Sequence, residues 1–376
     1  MAMTALIVLA VILTLVYSSL ILFYALTFKK STDFTPDPKT GYAEMSVIIP
    51  FKNEEKFLPG LLEKIKAQII HFPQVEVFLI NAHSNDSSLA VAKSYQKNLP
   101  RLHVLSLPPG KSGKKEALKF GIMESSSEYA LMTDADTSPG PEWIRIISKF
   151  IDQNKPFLAS APVRMIADAN SFFQNLQALE FASLSGAGLA SFISHSPIMC
   201  NAANLIVRKE LFLEAFHKIQ KDFHSGDDIF LLQYAKRKYP GKINYIKNPG
   251  ATVNTFSEPD LQSFFKQRSR WASKSLLYDD PMLVFVALLV FLLNIMIPAF
   301  IIGIIMDYEL LKIFIFIITM KAIADFIFLR QILLFYRQKQ LLKFFLPAYI
   351  IYPFYILVTS ISGFIQFFLQ TIKRRS

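Results

Sequence analysis

Hydrophobic and polar positions divide this chain into membrane-length runs around one mixed block. Residues 4–28 are almost uninterrupted hydrocarbon and end at Lys29-Lys30. At about 1.5 Å per helical residue, that run is long enough to cross a bilayer core of about 30 Å. It is too long for a secretory signal, no positive residues precede it, and no small-residue cleavage site is clear. Residues 281–306 form a second run, and 310–335 and 344–370 a third and a fourth. Residues 31 to 280 carry the polar and apolar mixture of one sizeable α/β core. The expected organisation is an N-terminal transmembrane helix over 1–30 and a globular domain over 31–257. An amphipathic interfacial helix over 258–280 and about three C-terminal transmembrane helices over 281–376 follow.

Inside the block, short apolar runs alternate with helical stretches. Glu44–Pro50, Val75–Ile80, Leu102–Ser106 and residues 129–133 read as strands. Asn53-Glu54-Glu55 opens a helix after the first, another helix runs to Asn98, and a third spans 115–124. Alternation at about 25–30 residues implies right-handed crossovers and a parallel sheet with helices on both faces. Phe51–Glu54, Asn81–Asp86, Lys111–Lys115 and Asp134–Asp136 all follow strands. They are therefore expected on one edge of the sheet, where open α/β folds bind ligands.

Charge refines this picture. The 376 residues are 52% apolar and carry a formal net charge of +11. Much of the excess borders the hydrophobic runs, which suits anionic headgroups better than nucleic acid. Lys29, Lys30, Lys266, Arg268, Arg270 and Lys274 flank the block, so the positive-inside bias places it in the cytoplasm. The expected location is the plasma membrane, the inner one in a bacterium. Four full spans would put Lys373-Arg374-Arg375 outside, against that bias. Either the last segment, broken by Pro347 and Pro353, is re-entrant or interfacial, or the rule fails here. Cys200 is the single cysteine, which excludes an intramolecular disulfide and reads as a small buried side chain.

The candidate chemistry lies on the expected edge. Asp134 and Asp136 are hard oxygen donors, and Mg²⁺ is commonly held by one or two carboxylates plus phosphates. Taken alone, so short a motif as Asp-x-Asp is better explained by a solvated turn. Asn53 and Glu54 offer hydrogen-bonding groups, and Lys111 and Lys114 sit in a glycine-containing loop suited to phosphate oxygens. Together these describe a site for a nucleoside diphosphate. Asp227 and Asp228 precede an apolar helical run, where one carboxylate caps the helix or acts as general base. Residues 261–277 have an apolar face with basic residues, in which Gln267, Arg270 and Trp271 share a side. Arg268 and Arg270 fall on different faces, so one can address lipid and the other a cleft.

These residues resemble the membrane-bound family 2 glycosyltransferases of GT-A fold. The matching pieces are Ser46–Glu54, Gly113–Leu118, Asp134-Ala135-Asp136, Gly226-Asp227-Asp228 and Gln267-Arg268-Ser269-Arg270-Trp271. They occur in the family's order, and the last resembles the Gln-x-x-Arg-Trp signature of cellulose, chitin and hyaluronan synthases. The resemblance implies that Pro50, Phe51, Asn53, Glu54 and Asn81 hold the nucleobase and ribose. Lys114 would sit near the base or diphosphate. Asp134, Ala135 and Asp136 would face the sugar nucleotide, with Asp136 ahead of Asp134 as the direct ligand of Mg²⁺ or Mn²⁺. Asp228, beside Asp227, would deprotonate the acceptor. Gln267, Arg268, Arg270 and Trp271 would close over the diphosphate and the acceptor end, and Asn201 and Asn204 would line the acceptor side. Ala82 departs from the family pattern, standing where a base-contacting carboxylate is usual. Either Asn81 or Asp86 does that work, or nucleotide affinity is reduced, or the chain carries a substitution.

The expectation is an α/β, Rossmann-like GT-A domain with transmembrane helices. It would move a sugar, with inversion, from a UDP-type donor to a lipid acceptor at the membrane. A processive polysaccharide synthase, with an oligomer or partner completing a channel, is the alternative within the enzyme class. A non-catalytic nucleotide-sugar-binding or polymer-export scaffold is the alternative outside it. A transporter is a poorer reading, because paired repeats are missing and Lys321, Asp325 and Arg330 lie on one helix.

Overall fold

A computed structural model describes residues 2–219, 227–275 and 277–375. The chain divides into two compact units. An α/β unit comprises Thr32–Ile166 and Met199–Phe256; a helical unit comprises Met1–Ser31, Ala167–Ile198 and Ser257–Ser376.

The strands of the α/β unit are β1 (Met45–Phe51), β2 (Val75–Asn81), β3 (Leu102–Ser106), β4 (Tyr129–Met132) and β5 (Ser138–Pro139). They continue as β6 (Leu158–Ser160), β7 (Val163–Ile166), β8 (Leu205–Arg208), β9 (Ile243–Tyr245) and β10 (Val253–Phe256). A seven-stranded sheet has the order β3-β2-β1-β4-β8-β6-β9, and β5-β10-β7 form a smaller one. β1 is buried at every position because it is central and covered on both faces. Met45, Val47, Ile49 and Phe51 join one core with Leu58, Leu61, Leu62, Ile65, Trp143 and Ile147 from two helices on that face. On the other face helix Lys114–Glu124 comes close at Gly121, where an added Cβ would lie 2.8 Å from Ile48 Cγ2.

Two expectations change. The strands β3, β2, β1 and β4 are parallel, but β8 runs antiparallel to both β4 and β6, so the sheet is mixed. The strand–helix alternation ends at β4, which leads through a turn into β5, and the later strands have no such period to follow. The helix expected to open at Asn53 begins at Leu58 and runs to Ile69. Residues 52–57 stay outside it because Asn53 has φ 59° and its neighbours bond across to the loop after β2.

The helical unit contains Ala2–Lys30, Phe172–Ile193, Leu261–Ser275, Pro281–Met306, Leu310–Phe335 and Phe345–Arg375. Among the described residues, four segments are long and apolar enough to cross a membrane: Met3–Lys30, Phe172–Ile193, Pro281–Met306 and Lys339–Leu369. Phe172–Ile193 joins that set, whereas Leu310–Phe335 carries Lys312, Lys321, Asp325 and Arg330 along a similar length. Lys321 and Asp325 pair one turn apart at 2.5 Å, and the Tyr17 hydroxyl donates to Asp325 at 2.7 Å.

Candidate active site

At the carboxyl ends of the parallel strands, three loops are tied into one rim. The Asn53 amide donates to Ser84 Oγ at 3.1 Å, and Asn85 N–H returns a bond to Asn53 Oδ1 at 2.9 Å. The Glu54 amide donates to Ser88 Oγ at 2.7 Å. Glu55 N–H donates to Asp86, while Ser87 N–H donates back to Glu55. His83 Nε2 donates to the Lys111 carbonyl at 2.9 Å, joining the loop after β3. Reciprocal side-chain-to-backbone bonds of this kind fix a loop that has no ladder of its own.

The Asp-x-Asp turn is fastened in the same manner. Thr133 Oγ1 donates to the Ala203 carbonyl at 2.8 Å, and Thr137 Oγ1 donates to the Asp134 carbonyl at 2.7 Å. Ala135 is buried, and the carboxylates on either side of it are half-buried. Lys114, at the start of its helix after Gly113 with φ 89°, forms an ion pair with Asp134. Burial works against the Lys114 charge, but the carboxylates of Asp134, Asp228 and Asp136 hold its pKa above the ordinary lysine value. Burial, and then the negative charges of Asp136, Asp134 and Asp86, push the Glu54 carboxyl up to about 7. Four of the predicted residues thus share one electrostatic neighbourhood: Glu54, Lys114, Asp134 and Asp136.

Asp228 lies at the start of helix Asp227–Lys238. Its Oδ2 accepts from Ala202 N–H at 3.2 Å and its Oδ1 from Ile229 N–H at 2.9 Å, which orients the carboxylate. Together with Lys115, Met132, Ala202 and Phe216, Asp228 lines a small cavity. Cys200 Sγ donates to the Asp228 carbonyl at 3.3 Å, and burial, then the Asp228 charge, raises the thiol well above its ordinary pKa. That keeps it protonated, as a packing residue. Gly226 and the Asp227 side chain lie outside the described residues.

Several predicted contacts are redirected inward. Phe51 is 2% exposed and packs in the core beside Leu58, and Pro50 is buried in the same strand. Asn81 is buried, accepts from Ser84 N–H at 2.9 Å and donates to Ser106 Oγ at 3.3 Å. Its amide shapes the rim from beneath. Ala82 is also buried, its N–H donating to the Phe51 carbonyl at 2.8 Å. Asn201 caps the short turn Ala202–Asn204 by accepting from Ala203 N–H. Asn204 is fully buried, donating to the Pro162 and Ala251 carbonyls and accepting from Trp143 Nε1. The Asn204 amide is thus satisfied within the core.

In the helical unit, helix Leu261–Ser275 carries the Gln-x-x-Arg-Trp motif. Arg270 is exposed, Trp271 is half-buried, and Gln267 Nε2 donates to Glu258 Oε1 at 2.5 Å. Arg268, expected to address either lipid or the cleft, is 3% exposed and paired at 2.5 Å with Glu180. Sequence reasoning missed Glu180; its signal was the only acidic residue in the apolar stretch 172–193. It also missed Ser84, Ser88, Thr133 and Thr137 as loop fasteners, although Ser and Thr clusters after strands are the mark of such turns.

A divalent cation is implied by the Asp-x-Asp pattern. Glu54, Asp134 and Asp136 are hard oxygen donors whose mutual repulsion a cation would relieve. Among the described residues no three His, Cys, Asp or Glu side chains form a complete metal cage. This donor set therefore fits an ion held by one or two carboxylates and completed by phosphate oxygens.

Residues 46–215 match the profile described as Glycosyl transferase family 2. Poly-beta-1,6-N-acetyl-D-glucosamine synthase of Staphylococcus epidermidis is 23% identical over 233 residues, covering 61% of this chain and 53% of that protein. Poly(ribitol-phosphate) beta-N-acetylglucosaminyltransferase TarS of Staphylococcus aureus is 26% identical over 111 residues, 30% of this chain and 19% of that one. The chain thus spans about half or less of the length of these relatives. The mannosyltransferase PcManGT of Pyrobaculum calidifontis, solved with GDP-Man and Mn²⁺, is 16% identical and superposes over 92% of this chain and 98% of its own, with a TM-score of 0.54. That likeness is one of fold. Residues 46–215 thus carry a glycosyl transferase family 2 domain, and the α/β unit around it has the GT-A fold.

Proposed function

We propose that this protein transfers a sugar, with inversion, from a nucleoside diphosphate sugar, UDP foremost, to a hydroxyl of a membrane-associated lipid. The observation that carries the reading is the grouping of Asp134, Asp136 and Asp228 around the Lys114 ammonium at the strand ends, with Glu54 beside the first two. Asp134 and Asp136 would hold Mg²⁺ or Mn²⁺, which when bound supplies Lewis-acid stabilisation of the leaving diphosphate. Lys114 offsets phosphate charge from the same rim. Asp228, oriented by two backbone amides, takes the proton of the attacking hydroxyl. The acceptor oxygen forms its bond to the anomeric carbon as the bond from that carbon to the diphosphate breaks. Four membrane-length apolar segments among the described residues support integral membrane placement, and the Lys and Arg residues flanking the α/β unit support its placement in the cytoplasm.

The second reading, a processive polysaccharide synthase, is favoured by the alignment with the poly-beta-1,6-N-acetyl-D-glucosamine synthase over 61% of this chain. Both readings are tested by presenting the full chain in lipid nanodiscs with UDP-, GDP- and dTDP-sugars. Release of nucleoside diphosphate is followed with Mg²⁺, Mn²⁺ or EDTA. Metal-dependent release from one donor is expected. Polymeric product would select the synthase, and metal-independent release would remove the assigned roles of Asp134 and Asp136. Absence of both donor binding and release across the panel would overturn the enzyme reading and make Ala82 the first residue to restore to Asp.

A further inference from the structure

One turn of helix Phe172–Ile193 carries two polar residues, Gln177 and Glu180, within a largely apolar stretch. Gln177 is 2% exposed and closes a two-way bond with the main chain of Glu258. Its Nε2 donates to the Glu258 carbonyl at 3.0 Å, and its Oε1 accepts from Glu258 N–H at 2.9 Å. Glu180 grips Arg268, whose Nε and Nη2 lie 3.1 and 2.5 Å from Oε2. The Tyr355 hydroxyl, from the last helix, donates to Glu180 Oε1 at 2.8 Å. Held in this way, the Arg268 guanidinium lies 4.2 Å from the centre of the Trp271 ring and 4.8 Å from that of Phe264. Gln267 is fixed from both ends: it donates to Glu258 Oε1, and its Oε1 accepts from Arg268 Nη1.

Every residue of this clamp belongs to the helical unit. A buried Arg–carboxylate pair is a poor device for stability alone, because well-packed apolar residues of similar volume serve as well or better. What the pair supplies is geometry. A planar guanidinium held by a carboxylate presents one flat face to an indole and fixes the ring's tilt. We infer that Glu180, acting through Arg268, is a positioning residue that sets the orientation of Trp271 and Gln267, with Gln177 holding Glu258 as the second anchor. The consequence for transfer rests on the proposed glycosyltransferase reading; the orientation of Trp271 does not.

The test exploits the two tryptophans of the chain. Full-length protein labelled with 5-fluorotryptophan in nanodiscs gives one ¹⁹F resonance for Trp271 and one for Trp143, assigned through Trp143→Phe. The variants are Glu180→Gln and the paired Glu180→Leu/Arg268→Met, in which no buried charge is left alone. Both are expected to move or broaden the Trp271 resonance and leave that of Trp143 in place. In the paired variant, kcat falls on the order of 10- to 100-fold, the range expected when a reacting geometry slips. Donor KM changes by less than about threefold, since ground-state binding is kept. A folded paired variant with an unmoved Trp271 resonance overturns the positioning role. A moved resonance with parental kcat overturns its catalytic consequence. If the parent transfers no sugar from any donor, the functional reading fails, and the fluorine spectrum alone still decides the orientation of Trp271.

Discussion

Glu54 illustrates how one side chain takes its chemistry from its neighbours. Burial and the charges of Asp136 and Asp134 hold its pKa near 7, well above the ordinary glutamate value. A carboxyl raised on folding binds more protons in the native state between the two pKa values, so stability falls as pH rises from about 4.5 to about 7 and is level above that. Glu54→Gln removes the repulsion and is expected to raise the metal-free Tm at pH 8 by about 2–4 °C, with the gain fading toward pH 4.5, in thermal unfolding scans. At the same scale, Asp136→Ala should abolish the increment in donor affinity that Mg²⁺ or Mn²⁺ provides; equal affinities with and without metal would count against its role. Asp228→Asn should keep donor binding and lower transfer by about 10²–10⁴-fold, the range for a lost general base. Wild-type turnover by that variant would remove the assignment. Residue types were legible here, but their directions were not. Phe51, Asn81 and Asn204 have the right chemistry for ligand contact, yet each points inward to a partner that local sequence does not reveal.

At the scale of elements, close approach decides more than propensity. Helix Lys114–Glu124 packs on β1 and β2 through Gly121, where a Cβ would meet Ile48 Cγ2 at 2.8 Å and Ile80 Cγ1 at 3.0 Å. Both neighbours are β-branched and stiff near the backbone. Gly121→Val is therefore expected to cost about 1–3 kcal/mol, seen as a lowered Tm with the donor preference unchanged. The first four strands were readable because each is an apolar run before a polar turn, and the first three lead on into a helix. The strands β5 to β10 are 2 to 4 residues long and carry no period of their own. β8 pairs antiparallel with β4 through contacts 70 or more residues apart in sequence, as at Leu131 and Ile206. Loop fastening was hidden for a similar reason: Ser84 and Ser88 act on Asn53 and Glu54 from the next loop.

For the molecule as a whole, apolar surface is the dominant fact outside the α/β unit. Leu6, Val8, Leu9 and Ile12 of the first helix and Ile350, Phe354, Ile361 and Phe368 of the last are each 40% or more exposed. Exposed apolar surface on this scale marks a membrane or partner face rather than a water-facing one. The full chain is expected to stay in the pellet through alkaline carbonate washing and to require detergent for extraction; release by carbonate would argue against spanning helices.

Reading along the chain was enough for the apolar runs at 4–28 and 281–306, the α/β class, the strand-end placement of Asn53–Glu54, Lys114 and Asp134–Asp136, and the resemblance to a family. All of these follow from local periodicity and from where short polar segments meet apolar ones. It took the folded arrangement to reveal that Asn81 and Asn204 serve the framework, that residues 167–198 belong to the helical unit, and that Arg268 is clamped by Glu180. Those outcomes depend on which distant backbone amide, carbonyl or carboxylate satisfies a buried polar group. That demand is met in three dimensions and leaves little trace along one.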